Sequence, residues 1–281
     1  MYKSDTLKLN DSEMQYTVTG QGPGLVFVHG LGGSHLSWWQ QIPFFSQHYT
    51  CIAYSQRGFA TSKNLSNTIE TSVFTDDLAA LIDHLGMDRV FLVGQSMGGW
   101  SCLHYAMRDE RRVRALVMAS TTGALNFSLI DHPEIRNLPL WDARSNEIGK
   151  QLAQRGILKS VGARFADENP RLAYLYRQIY DQTPAEYREA VRKKIREQRT
   201  LLPDSVSQLD IPVFFVTGGE DLLFPPGAAA AAASIMPSAT YRCVLDVGHS
   251  LHFERAQVFN ALLAWTIHKL ADAVGFRGTG H

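Results

Sequence analysis

Only three cysteines occur in 281 residues, Cys51, Cys102 and Cys243, and no two of them form a CxxC pair. So few thiols, odd in number and far apart, exclude a disulfide framework and a structural zinc site, and they fit a reducing compartment. An excess of charge of either sign is also lacking: 27 Lys and Arg balance 27 Asp and Glu, which argues against a general nucleic-acid binder. No apolar run approaches the roughly 20 residues that cross a bilayer, and the polar start MYKSDTLKLND has no apolar signal core. These absences lead us to expect a cytoplasmic protein with neither membrane nor nucleic acid as a partner. What is present is a 45% hydrophobic chain, long enough to bury a core without a metal or disulfide.

The apolar runs set the architecture. Leu7–Asn10 and Met14–Thr19 read as a hairpin. Leu25–Val28, Thr50–Tyr54, Val90–Val93, Val113–Ala119, Val213–Thr217 and Tyr241–Leu245 read as strands, most of them apolar on both faces. Helical patterns separate them, as where Leu78, Leu81, Ile82 and Leu85 share one face ahead of Gly86. Strands buried on both faces and alternating with helices imply a mostly parallel sheet covered on each side. Ala228–Ala233, following Pro225-Pro226, reads as plain helix. A long helix is expected near Arg255–Leu270, with Phe259, Leu262, Leu263, Thr266, Ile267 and Leu270 as its buried stripe.

The rhythm breaks in the middle. From Gly123 to Leu202 no strand-like run occurs, only helical patterns interrupted by Pro133, Pro139, Pro170 and Pro184. We therefore expect a core made of residues 1–122 and 203–281, with a helical insertion, 123–202, between the sixth and seventh strands. Residues 141–200 carry 13 Lys and Arg against 8 Asp and Glu. The cations Arg188, Arg192, Lys193, Lys194, Arg196 and Arg199 read more simply as a solvated helix face shared with Glu186, Glu189 and Glu197; attraction of an anionic substrate is the alternative. Trp141, Tyr174, Tyr176 and Tyr180 fit pocket lining and helix packing equally well.

Chemistry enters at Gly94-Gln95-Ser96-Met97-Gly98, a G-x-S-x-G sequence with a strand before it and a helix after it. A serine in so tight a turn is strained and needs small neighbours, which Gly94 and Gly98 supply. Its hydroxyl needs a base, and the base needs an acid to orient it. Asp221 and His249 stand at the ends of two consecutive later strands, so they are the expected acid and base; Glu220 is the rival acid, and Asp246 reads as a turn residue. The backbone N–H groups of Met97 and of Leu31, within His29-Gly30-Leu31-Gly32-Gly33, are the expected oxyanion donors. His29 reads as a structural histidine beneath that loop. No His, Cys, Asp or Glu set has metal-ligand spacing, and a triad supplies its own nucleophile, so neither metal nor cofactor is expected.

HGLGGS at 29–34, SQRGFATS at 55–62, GQSMGG at 94–99, GGEDLLFPP at 218–226 and GHSLHFERAQVFN at 248–260 together resemble the α/β-hydrolase-fold serine hydrolases. The resemblance implies a lid formed by the insertion. Ser55 stands where the family often has aspartate, and Ala60 where it often has glycine. After Val113–Ala119, where some relatives carry the acid, the chain has Ser120-Thr121, which favours Asp221. Epoxide hydrolases and haloalkane dehalogenases use an aspartate nucleophile, unlike Ser96, and the Gly-Gly-Ser-Trp-Gly elbow of proline iminopeptidases is absent. The C–C hydrolases of ring-fission products often have Asn before the serine and Trp after the histidine; here Gln95 and Ser250 occupy those places. The expected activity is therefore cleavage of a small ester or lactone. A C–C hydrolase and a slow-turnover small-molecule receptor are the alternatives, and assembly into a homo-oligomer is left open.

Overall fold

A computed structural model describes the backbone of residues 2–275 and the side chains of residues 2–269. Among the described residues nine strands form one sheet: β1 (Tyr2–Lys8), β2 (Ser12–Thr19), β3 (Gly24–Val28), β4 (Thr50–Tyr54), β5 (Lys63–Asn64), β6 (Val90–Gln95), β7 (Val113–Ala119), β8 (Val213–Gly218) and β9 (Ala239–Val244). Their order is β1-β2-β4-β3-β6-β7-β8-β9, with β5 paired to β2. Pairings of β2 with β1, β4 and β5 are antiparallel, and every pairing from β4 to β9 is parallel. The two-residue β5 carries no apolar signal. It adds one to the strand count, so the insertion expected between the sixth and seventh strands lies between β7 and β8.

Alternation of side chains across the pleat divides the core into two layers. Val26, Val28, Leu92, Leu116, Met118 and Phe215 face one side with the helices Thr71–His84, Gly98–Arg108 and Pro226–Ile235. Leu25, Phe27, Phe91, Val93, Val117 and Phe214 face the other, against Trp38, Phe45 and the long helix Ala256–Gly275. In that helix Phe259, Leu263 and Ile267 are buried, whereas the Leu270 side chain lies outside the described residues. The alanine run buries Ala228, Ala229, Ala231 and Ala232. Small side chains on this face let the helix lie close to β8 and β9.

Five α-helices fill the insertion: Pro133–Arg136, Leu138–Gln154, Ala163–Glu168, Pro170–Tyr180 and Ala185–Glu197. Its prolines interrupt the helical pattern where one helix gives way to the next. Pro133, Pro139 and Pro170 sit in first turns, and Pro184 is an N-cap. Proline's missing N–H costs nothing at a position where that group has no intrahelical acceptor. A bridge between Leu125 and Leu201 holds the two ends together, with Asn126 N–H donating to the Leu201 carbonyl at 2.8 Å. Leu125 and Ile130 of the insertion join the main core, and two smaller apolar clusters hold the rest of it. Val191 joins Phe59, Phe74 and Met97 in one, while Val161, Phe165 and Ile179 join Phe253 in the other.

Candidate active site

Parallel register brings the carboxyl ends of β3, β6, β7 and β8 to one edge, with Val28 beside Gly94, Gln95 beside Ala119, and Ala119 beside Val216. Ser96 leaves that edge with φ +51°, in the left-handed region, its N–H bonded to the Ala119 carbonyl at 2.9 Å. Its neighbours have no room for a side chain. A Cβ on Gly94 would come within 2.6 Å of the Gly99 Cα, and one on Gly98 within 2.1 Å of the Val28 carbonyl oxygen. The G-x-S-x-G spacing thus answers to backbone crowding, and the helix Gly98–Arg108 begins directly behind the serine.

Asp221 and His249 meet as the sequence predicts. His249 Nδ1 lies 2.8 Å from Asp221 Oδ2, and both side chains are buried. The other carboxylate oxygen, Oδ1, accepts from Leu223 N–H at 2.8 Å and Phe224 N–H at 2.9 Å. Glu220, the rival acid, turns outward to Arg164, 2.5 Å away. Asp246 is exposed in its turn. Ser96 and His249 line the same cavity, of about 450 Å³, as do Leu31 and Met97. Among the described residues Ser96 has no hydrogen bond to His249; hydrogen bonds of this kind are often long before substrate binds.

His29 is fully buried beneath the Gly30–Gly33 loop. Its Nδ1 lies 2.8 Å from the Gly30 carbonyl oxygen, and its Nε2 accepts from Gln56 N–H at 2.9 Å. Burial pushes its pKa down to about 4, so the ring is a neutral strut. Ser55, the family's frequent aspartate position, is buried and pairs through Oγ with His35 Nδ1 at 2.9 Å. Ala60, at the family's frequent glycine position, takes φ +49°.

Several contacts around the site have no counterpart in the sequence reading. Buried Glu254 accepts from Gly248 N–H at 2.9 Å and Ser250 N–H at 3.0 Å, on both sides of His249. Burial outweighs these bonds and pushes Glu254 up to about 7. Gln95 Nε2 donates to the His249 carbonyl at 3.3 Å. The insertion grips the same loops. Trp141 Nε1 donates to the Asp221 carbonyl at 3.1 Å, Ser145 Oγ to the Leu222 carbonyl at 2.7 Å, and the Tyr176 hydroxyl pairs with Ser250 Oγ at 2.9 Å. Tyr176 and Tyr180 line the cavity, and Tyr180 covers Gly32 so closely that a Cβ there would meet its ring at 2.3 Å. Tyr174 is exposed instead.

The insertion's cations correct the expectation of a wholly solvated face. Arg192, Arg196 and Arg199, with Lys159, line the cavity. Lys193 and Lys194 keep to the surface with Glu197 and Glu70, and Arg188 is buried over the Tyr180 ring. A local excess of 13 cations over 8 anions was the only signal in the sequence; which face they occupy depends on docking. Among the described residues no group of three His, Cys, Asp or Glu side chains is arranged to hold a metal, and no helix is long and apolar enough to cross a membrane.

Comparison with known proteins agrees with this fold. The chain is 24% identical over 262 residues to 3-oxoadipate enol-lactonase 2 of Acinetobacter baylyi, covering 91% of this chain and 93% of that one. The enol-lactonase structure from Burkholderia xenovorans superposes with a TM-score of 0.78 at 22% identity, over 94% of this chain and all of the other. A thermophilic esterase from Thermogutta terrifontis gives 0.78 at 21% identity, over 95% of this chain and 99% of that one. Residues 23–256 match the model of the alpha/beta hydrolase fold, and with the mostly parallel sheet, its flanking helices and the strained serine after β6, the chain belongs to the α/β-hydrolase fold family.

Proposed function

We propose that this chain is a serine hydrolase that cleaves a small carboxylic ester or lactone through an acyl-enzyme on Ser96. The observation that carries the reading is the buried 2.8 Å Asp221–His249 pair opening onto the cavity that also holds the strained Ser96. His249 takes the Ser96 proton as Oγ attacks the substrate carbonyl. Asp221, fixed by two backbone N–H groups, holds the imidazole in the tautomer that leaves Nε2 free to accept. The Leu31 and Met97 N–H groups, which among the described residues donate to no backbone carbonyl, receive the developing oxyanion. Collapse expels the alkoxide, which the imidazolium protonates. Water then gives its proton to His249, attacks the acyl group, and releases the acid as Ser96 regains its proton. No metal or cofactor enters the cycle.

Residues 123–202 act as the lid of this site, because Trp141, Ser145 and Tyr176 hold its helices on the Asp221 and His249 loops. The lid then selects the substrate while the sheet supplies the chemistry. The names of the relatives, enol-lactonase and esterase, point the same way. An active-site phosphonate tests the reading: it should label Ser96 alone, and Ser96→Ala should fold normally with most turnover on p-nitrophenyl esters lost. Labelling elsewhere, or near-native rates in Ser96→Ala, would overturn it.

A further inference from the structure

Resting on the serine-hydrolase reading, we propose that the substrate carries a free carboxylate, and that Arg199 is the residue that binds it. Lys159, Arg192, Arg196 and Arg199 all line the cavity that contains Ser96, and among the described residues no Asp or Glu lines it. Arg192 has a partner in Glu189, whereas Lys159, Arg196 and Arg199 have no ion-pair partner among the described residues. Four cations converge on a wall that offers no anion of its own.

Arg199 is the least comfortable of them. Its guanidinium lies 4.7 Å from the Phe127 ring centre and 5.9 Å from that of Trp100. Aromatic faces favour a cation but do not replace the water lost on burial. That loss brings its pKa down to about 10, so the group still carries its charge at neutral pH. Arg199 is only half-buried, yet it has lost part of its hydration and has no counter-ion among the described residues, and a ligand carboxylate would compensate through two parallel N–H···O bonds. Trp100 lies four residues after Ser96, on the helix that begins behind the nucleophile. An anion seated on Arg199 would therefore place the rest of a short substrate over the serine. Arg196, Arg192 and Lys159 would supply longer-range attraction into the cavity.

The test compares two esters of one chain length, neutral p-nitrophenyl valerate and anionic mono-p-nitrophenyl glutarate. In the native protein kcat/KM should favour the glutarate ester, and added NaCl should erode that preference. Arg199→Met should lower the ratio of the two values by roughly tenfold or more, the worth of a hydrogen bond to a charged group. Glutarate itself should raise the Tm of the native protein more than n-pentanol does, and the shift should shrink in Arg196→Gln. This second readout holds if Arg199→Met fails to fold. A neutral ester cleaved as fast as its anionic partner, with no salt dependence and no stabilisation by glutarate, overturns the carboxylate site and leaves the serine hydrolase standing. Stabilisation by glutarate without turnover of either ester would keep the anion site and overturn the hydrolase reading instead.

Discussion

Glu254 holds His249 from both sides, its carboxylate taking the N–H of Gly248 at 2.9 Å and that of Ser250 at 3.0 Å. The Asp221 bond fixes the imidazole ring, and Glu254 fixes the backbone that carries it. Gly162 packs against the same carboxylate, a Cβ there coming within 3.1 Å of Glu254 Oε2, so a loop of the insertion meets the histidine loop at one buried group.

Glu254→Gln should therefore damage activity without touching any reacting atom. An amide keeps one acceptor oxygen and turns an NH2 toward a backbone N–H, a loss of about 1–3 kcal/mol at a buried site. We expect kcat/KM on a p-nitrophenyl ester to fall roughly 10- to 100-fold. A variant with native kinetics would show that the histidine loop stands without this support.

The same carboxylate shapes stability against pH. Glu254 moves from 4.5 up to about 7 on folding, so between these values the folded chain holds the extra proton and stability falls as pH rises. His29 and His252 move the other way, from 6.5 down to about 4 and about 3. Below pH 6.5 the unfolded chain takes up their two protons, and stability falls as pH falls. Between pH 4.5 and 6.5 the net is one proton, a loss of about 1.4 kcal/mol per pH unit on acidification. Urea titrations should thus show stability rising with pH and levelling off near pH 7 from these three groups. In Glu254→Gln the acid side should steepen, because the opposing proton is gone; an unchanged profile would mean that the carboxyl titrates alike in both states.

Asp221→Asn should leave the fold intact and cut kcat by about 10⁴, because an amide facing Nδ1 disturbs the imidazole tautomer. Glu220→Gln should cost little by comparison, since Glu220 faces Arg164 at the surface. The two kcat values measured side by side decide which carboxylate serves the histidine.

Ala60→Gly should stabilise the protein. Ala60 adopts φ +49°, where a Cβ costs about 1–2 kcal/mol, and glycine returns part of that gain through the entropy of the unfolded chain. A net gain of about 0.5–1 kcal/mol is expected from that balance, read as a higher Tm. A lower Tm would show that the Cβ contributes packing that outweighs its strain.

The sequence by itself determined the sheet and the order of the site along it. Strands such as Leu25–Val28 and Val113–Ala119 are apolar on both faces, a pattern that depends only on neighbouring residues and suits only a covered parallel sheet. G-x-S-x-G was legible for the same reason: the crowding that demands Gly94 and Gly98 arises within one strand–turn–helix unit and the strand beside it. Asp221 and His249 were legible as strand-end residues. Tertiary structure alone decided how the insertion docks, and with it which of its polar groups meet the site. Arg192 and Lys193 are neighbours on one helix, yet one lines the cavity and the other lies at the surface, because a helix polar around most of its circumference does not declare the face it turns inward. Glu254 carries no local mark either. Its bonds to Gly248 and Ser250 span only a few residues, but its raised pKa comes from burial, and a desolvated carboxylate cannot be told from a solvated one until the chain has closed around it.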